Sequence, residues 1–527
     1  MAKVEISKRL LLINYASSLA VRVINLSVRL WVYQYLAGRI PPQEYALYPV
    51  LGSVIVFLPL LTSVLTAGLS RYAVEAYAQD DERRVTQIVS TMFPLTLGAG
   101  LVVLAGGWVF AWYVDHVLTI APGQLWEARL MMALMIFSVS FEVGLAPFGV
   151  GFYIRQKFVL LNFIGVGREL FQIGLLFVLL FGVSTHVLWL VVASVVSGTC
   201  WVVVNRAVSR RLVPALRFRL SEIRWEMARK LMSFGGWTVV AQLADMIRTS
   251  ADPLVLNKLA TPVDVMSFQF GSLPYTQIRS ASSSLFGLLM PQLTAMYATG
   301  SKDRLRNAYL RGGRYALWAS LFMAVPLIVY CREVIRLYLK GLYPDASPVM
   351  VLLLVPFLTV YGHVMISDLS IAAGQMRPWA IRVIGLQVLN LGLTLYFVGV
   401  LKMGAVGSAL GTSVVMALVW PVVSTPLGLR LAGTTFRQWF RETLWPGLAP
   451  GLAAAAVMLA LKSVVHPGTW LSLGLCAGCG MAVYAAVLFG FCMQPADRAD
   501  LRQAMARIFS FLRSRRSSLD GERAGKP

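Results

Sequence analysis

Residues 10–35 read LLLINYASSLAVRVINLSVRLWVYQY. The segment is apolar and long enough for a membrane helix. It nevertheless carries Ser18, Arg22, Asn25 and Arg29 at steps of three and four, which puts them on one helix face. Residues 233–257, SFGGWTVVAQLADMIRTSADPLVLN, repeat the arrangement with Gln242, Asp245, Thr249 and Asp252, and with Arg248 beside them. A charge at mid-bilayer costs roughly 2.5–3.5 kcal/mol on insertion scales, so such residues face a bundle interior or a watery cavity. The two segments therefore imply a polar cavity inside a membrane-embedded helical protein, and so transport.

The rest of the chain agrees. It is 57% hydrophobic and 13% charged, where a soluble domain carries about 25% charged residues. Fourteen spans are expected, at about 10–35, 45–69, 88–113, 130–152, 160–182, 185–205, 233–257, 266–296, 315–331, 348–372, 383–401, 404–425, 444–461 and 470–492. Of the 47 Lys and Arg, 34 fall on the N-terminus, the loops after even-numbered spans and the C-terminus; eight fall on the alternate loops and five inside spans. That bias places both termini in the cytoplasm. The net charge of +23 is mostly this topology signal, and contact with anionic lipids explains it better than nucleic-acid binding. Lys3, Lys8 and Arg9 resemble the basic start of a signal peptide, but the segment that follows is too long and holds Arg22, so it is expected to stay as the first span. Cys476-Ala477-Gly478-Cys479 has redox or metal spacing but sits in an apolar span without His, which favours helix packing by small residues.

A weak internal repeat relates Tyr35-Leu36-Ala37-Gly38 to Lys258-Leu259-Ala260-Thr261, and Glu75-Ala76-Tyr77-Ala78 to Ala295-Met296-Tyr297-Ala298. Six spans separate the copies, so both have one orientation, as in parallel-repeat transporters. The expected organisation is an N-terminal six-helix bundle (1–206), a basic cytoplasmic linker (207–232), a C-terminal six-helix bundle (233–428), two additional helices (429–492) and a basic amphipathic tail (493–527). In the linker, Leu216, Leu220, Ile223, Met227 and Leu231 recur at helical spacing, which suits a helix lying on the membrane surface. Gly447, Gly451 and the run Ala453 to Ala456 suit close helix contact.

Arg22, Asn25 and Arg29 form the sharpest candidate site. Arginine presents planar paired donors that match phosphate oxygens. The alternative is a salt bridge from Arg22 or Arg29 to Asp245 or Asp252. Arg279 sits on a stripe with Gln269, Ser272, Thr276 and Ser283, which suits a lumen wall. Glu142, Arg168 and Glu169 are read either as an internal Glu142–Arg168 pair or as proton or sodium coupling. His363, alone in its span, is expected to pack; Gln387 and Asn390 are expected to knit helices. No ATP-binding, metalloprotease or dinucleotide motif occurs, and no cofactor, bound metal or enzyme activity is expected.

Gly68-Leu69-Ser70-Arg71-Tyr72 leading into the Asp80–Arg84 turn, Ser233-Phe234-Gly235-Gly236-Trp237, and the stretch from Ala244-Asp245 through Ala251-Asp252-Pro253-Leu254-Val255-Leu256 resemble the polysaccharide transport family of the multidrug/oligosaccharidyl-lipid/polysaccharide exporter superfamily, the Wzx-type flippases. The resemblance covers roughly residues 5–430. It implies a V-shaped alternating-access transporter of the bacterial inner membrane, in which Arg22, Asn25, Arg29, Arg248 and Arg279 meet the diphosphate or acidic sugars of a lipid-linked oligosaccharide. Asp245, Asp252, Glu142, Arg168 and Glu169 are then candidates for ion coupling or gating. The expected partners are that substrate, anionic lipids, and a glycan polymerase or glycosyltransferases, with the chain itself a monomer. A lipid II flippase, a multidrug or cation antiporter, and a non-transporting subunit of a glycan assembly complex are the alternatives.

Overall fold

The computed structural model describes residues 30–58, 69–155, 157–229, 250–286 and 299–498 except 496, with isolated positions between. These residues are helical with no strand among them. The main helices are α1 (Glu82–Trp112), α2 (Leu125–Gly144), α3 (Phe158–Gly182), α4 (Leu188–Leu212), α5 (Pro262–Phe286), α6 (Lys302–Val329), α7 (Cys331–Leu339), α8 (Ala346–Leu354), α9 (Met376–Leu395), α10 (Gly404–Val414), α11 (Trp445–Val465) and α12 (Trp470–Val487). Among the described residues nine helical stretches are long and apolar enough to cross a membrane, and α2 with its bent continuation makes a tenth. They fall on ten of the fourteen expected spans. The first, second, seventh and eighth lie partly outside the described residues, and the described part of the eighth includes α5. The molecule is a multi-pass, all-α membrane protein.

Contacts divide the chain into two compact units. The first comprises Met1–Leu273, Tyr338–Val349 and Ala380–Val415; the second comprises Pro274–Leu337, Met350–Trp379 and Met416–Pro527. In the first unit, α1 begins where Asp81 caps it, accepting the Arg84 N–H at 2.9 Å. It then runs 31 residues, roughly 47 Å at 1.5 Å per residue, enough to cross the hydrocarbon core. It packs along α2 so closely that a Cβ on Gly100 would stand 2.8 Å from the Ser140 carbonyl oxygen. Past Gly144 the chain bends by 66° into Ala146–Ile154, where Pro147 has no N–H to donate. Two α4 side chains satisfy the break: Arg206 Nε donates to the Leu145 carbonyl at 2.7 Å, and Ser209 Oγ accepts from Gly151 N–H at 2.9 Å.

The linker departs from expectation. Instead of one helix along its length it is irregular from Val213 to Arg219, with a 3-10 turn at Leu220–Glu222, and is helical again over residues 225–229. Hydroxyls on α1 take over its backbone hydrogen bonds. Thr86 Oγ1 donates to the Ala215 carbonyl at 2.9 Å, while Ser90 Oγ and Thr91 Oγ1 accept from Arg219 and Arg224 N–H, each at 2.9 Å. Val213, Ala215 and Leu216 join the apolar cluster of Tyr77, Ile88 and Met92, whereas Leu220 stays exposed. With those bonds met, the apolar periodicity has no need of a helix.

In the second unit, α11 lies on α6 through the small residues noted above. Gly447 faces Leu317, Gly451 faces Leu321 and Val325, and Ala454 is fully buried. Cys476 is buried and Cys479 exposed, and neither forms a disulfide. The span over Ala346–Ala372 breaks near Pro356 and passes through a 3-10 turn at Tyr361–His363. His363 is packed as expected: it stacks on Trp439 at 4.1 Å, with one ring nitrogen on Tyr309 Oη and the other 3.0 Å from Thr425 Oγ1.

Candidate functional site

In the first unit, the helix over residues 250–259 buries Asp252, which is 6% exposed. Its Oδ1 accepts hydrogen bonds from Ser408 Oγ on α10 at 2.8 Å and from Thr394 Oγ1 on α9 at 3.3 Å. One turn away, buried Asn390 accepts from Thr412 Oγ1 at 3.2 Å, and the buried Gln387 has its Oε1 without a partner. Gln387, Asn390 and Thr394 step by three and four along α9, and Ser408 and Thr412 by four along α10, so each helix turns one polar face to the seam. Gly411 permits the approach, since a Cβ there would press within 3.1 Å of Thr394 N and Oγ1.

The seam holds one carboxyl group and, among the described residues, no cation that pairs with it. A carboxylate buried in this way costs several kcal/mol unless a positive charge compensates it. Side-chain oxygens from three helices converge here.

The other candidates are dispersed. Arg279 is half-buried on α5, on the stripe where Gln269 and Ser272 are half-buried and Thr276 is exposed. Glu142 is exposed on α2; Arg168 and Glu169 are half-buried on α3. Glu142 and Arg168 form no ion pair with each other. Arg206 is the cation that interacts with Glu142, and Arg168 keeps a buried Nε without a partner. Arg22, Asn25, Arg29, Asp245 and Arg248 lie outside the described residues. So does the tail from residue 499, and with it the expected amphipathic face.

Sequence reasoning missed several participants. Thr394 and Ser408 were not singled out, although the four-residue steps to Asn390 and Thr412 carry the signal. The ion pair of Arg314 with Asp497 went unseen because 183 residues separate the two. One trio has metal-ligand character: Glu44, Glu127 and His186 bring their ligand atoms within 4.8 Å of one another. It is satisfied as it stands, since Glu44 Oε1 takes the Val187 N–H at 2.6 Å and lies 3.3 Å from His186 Nδ1.

A family model described as "Polysaccharide biosynthesis protein" matches residues 37–348. The chain belongs to this family. The match includes α1 to α7 and Asp252, and ends before the other residues of the seam. A curated relative, "Uncharacterized membrane protein EpsK" of Bacillus subtilis (strain 168), is 20% identical over 495 residues, covering 90% of this chain and 95% of that one. Among solved structures, "Lipid II flippase MurJ, inward closed conformation" has a TM-score of 0.66 at 13% identity, covering 91% of this chain and 99% of MurJ. An inward-facing multidrug resistance MATE transporter of the MOP superfamily has a TM-score of 0.65 at 14% identity, covering 79% and 98%. At these identities the likeness is one of fold. The expected family is borne out by the family model, and the expected fold by the likeness to these structures.

Proposed function

We propose that this protein moves a polyprenyl-diphosphate-linked oligosaccharide from the cytoplasmic to the outer leaflet of the bacterial inner membrane, by alternating access of two six-helix bundles with both termini cytoplasmic. The product would feed cell-surface polysaccharide such as exopolysaccharide or O-antigen. The observation that carries this reading is a charged, hydroxyl-lined seam inside a membrane-spanning member of a polysaccharide biosynthesis family. A glycan headgroup cannot cross hydrocarbon bare, and a helix bundle with a polar interior replaces its water.

The division of labour follows from charge. Arg22, Asn25, Arg29, Arg248 and Arg279 are assigned to the diphosphate and any acidic sugar. Asp252 is assigned to the coupling ion, a proton or sodium, with Asp245, Glu142, Arg168 and Glu169 as gating or coupling residues. Nothing in the chain suggests ATP hydrolysis, so the ion gradient or removal of product drives the cycle. A lipid II flippase is the second reading, favoured by the match to MurJ over 99% of its length.

The test is leaflet exchange in vesicles loaded with a defined polyprenyl-diphosphate glycan or with lipid II. Exchange of the glycan carrier alone supports the proposal, and exchange of lipid II alone selects the second reading. Arg22→Ala and Arg279→Ala are expected to abolish glycan exchange while leaving folded protein; normal exchange by both would refute the lumen assignment.

A further inference from the structure

A cavity of about 410 Å³ in the first unit is lined by Trp31, Gln34, Tyr35 and Arg39 from the end of the first span, and by Tyr338 and Lys340 from the end of α7. Its volume lies in the range of small-molecule sites, roughly 300–1,000 Å³. No acidic residue lines it. Arg39 and Lys340 form no ion pair among the described residues, so two positive charges face one concavity uncompensated. Both belong to the loops after odd-numbered spans, the side that holds only eight of the 47 Lys and Arg. The topology bias therefore does not account for them.

The cavity is built rather than incidental. The Arg39 guanidinium lies 3.9 Å over the Tyr35 ring, which fixes its plane and leaves its N–H edge free to donate. Trp31 and Tyr35 are braced from behind by Phe177, with ring centroids at 5.1 and 6.1 Å. Tyr338 Oη donates to the Leu30 carbonyl at 2.6 Å, tying α7 to the first span. Lys340 takes a left-handed backbone (φ 53°), and Gly341 follows at φ 82° to complete the tight turn. Aromatic belts at membrane interfaces also collect Trp, Tyr and Arg, but a belt does not require a concavity closed by a hydrogen bond.

Flat aromatic faces beside preorganised cations fit a pyranose that carries a carboxylate: the ring's C–H face lies on Trp31 or Tyr35, and the carboxylate meets Arg39 and Lys340. We propose that this pocket binds an acidic sugar unit of the glycan on the non-cytoplasmic side. The assignment rests on the flippase reading for its topology, and it deepens that reading by naming a carboxylate-bearing glycan as the substrate class.

The test uses the full-length protein in phosphatidylcholine nanodiscs, titrated with a glucuronate-containing tetrasaccharide free of lipid and with its neutral analogue. The acidic probe is expected to bind at least about tenfold more tightly than the neutral one, and Arg39→Gln and Lys340→Gln each to weaken it about tenfold. Both side chains are exposed, so thermal midpoints should not change, and either variant alone keeps the test decisive if the other fails to fold. Equal binding of the two probes, or acidic binding untouched by both substitutions, overturns the proposal. So does an Arg39- and Lys340-dependent affinity that appears only for phosphatidylglycerol doped into the disc, which would mark a lipid headgroup site. Because the probe carries no diphosphate and the readout is binding, loss of leaflet exchange with pocket binding intact would sink the flippase reading instead.

Discussion

Two buried carboxylates in this molecule are treated in opposite ways. Asp497, just beyond the last span, is gripped from all sides. Arg314 reaches it at 2.7 Å with both partners at 1% exposure or less, Arg311 approaches at 3.2 Å, Tyr315 Oη donates at 2.6 Å, and the Gln494 N–H at 3.0 Å. Asp252 receives two hydroxyls and, among the described residues, no cation. The first arrangement is complete and spends its electrostatics on holding the C-terminal segment against α6. The second is held by hydroxyls alone among the described residues, and it is this carboxyl that the proposed function assigns to a coupling cation. Among the described residues the two carboxyls thus differ in whether a cation accompanies them.

The comparison breaks most readily at Arg314. Arg314→Ala leaves Asp497 buried against a much weaker partner, and is expected to cost about 3–5 kcal/mol, read as a fall in the thermal midpoint of the detergent-solubilised protein. A change within 0.5 kcal/mol would mean the cluster is not structural.

Acid should reproduce part of that loss. Burial alone would raise the Asp497 carboxyl, but the Tyr315 hydroxyl, the Arg314 guanidinium and the Gln494 N–H together hold it below its ordinary 3.8. A carboxyl depressed in the folded state contributes stability that is present above the unfolded value and lost as pH falls through the folded one. The thermal midpoint should therefore hold down to about pH 4 and drop below it, and Asp497→Asn should flatten that part of the profile.

Arg311→Ala is a milder change. Its side chain is 31% exposed, so the effect should not exceed about 1 kcal/mol and should shrink with added salt. The smallest effect on stability is expected at Asp252. Asparagine keeps the contacts to Ser408 and Thr394 and removes the buried charge, so Asp252→Asn should unfold no more easily than the parent protein. Its consequence belongs to function: leaflet exchange should lose its dependence on a proton or sodium gradient.

How much of this was legible in the sequence divides along the same line. Spans were legible because hydrocarbon imposes length and apolarity locally, and ten of them stand where hydropathy put them. Packing through Gly447 and Gly451 was legible for a similar reason, since small residues recur on one face. The linker was misread between Val213 and Arg224 because helical spacing of Leu216, Leu220 and Ile223 says nothing about Thr86, Ser90 and Thr91, which lie more than 120 residues earlier and capture its backbone. Asp252 was found by its own charge. Its partners were not, because Ser and Thr are ordinary within membrane helices, and Thr394 and Ser408 lie 142 and 156 residues away. Nor did the sequence mark the single π turns at Tyr396–Val400, Val415–Val419, Phe440–Leu444 and Leu488–Cys492, which depend on how neighbouring helices pack.

The most direct measurement is leaflet exchange of a polyprenyl-diphosphate glycan in proteoliposomes, run with and without an imposed proton or sodium gradient, for the parent protein and Asp252→Asn. The expected result is gradient-dependent exchange by the parent and loss of that dependence in a stably folded Asp252→Asn. Equal gradient dependence in both proteins would contradict the assignment of the seam, and no exchange of the glycan carrier by the parent would contradict the function.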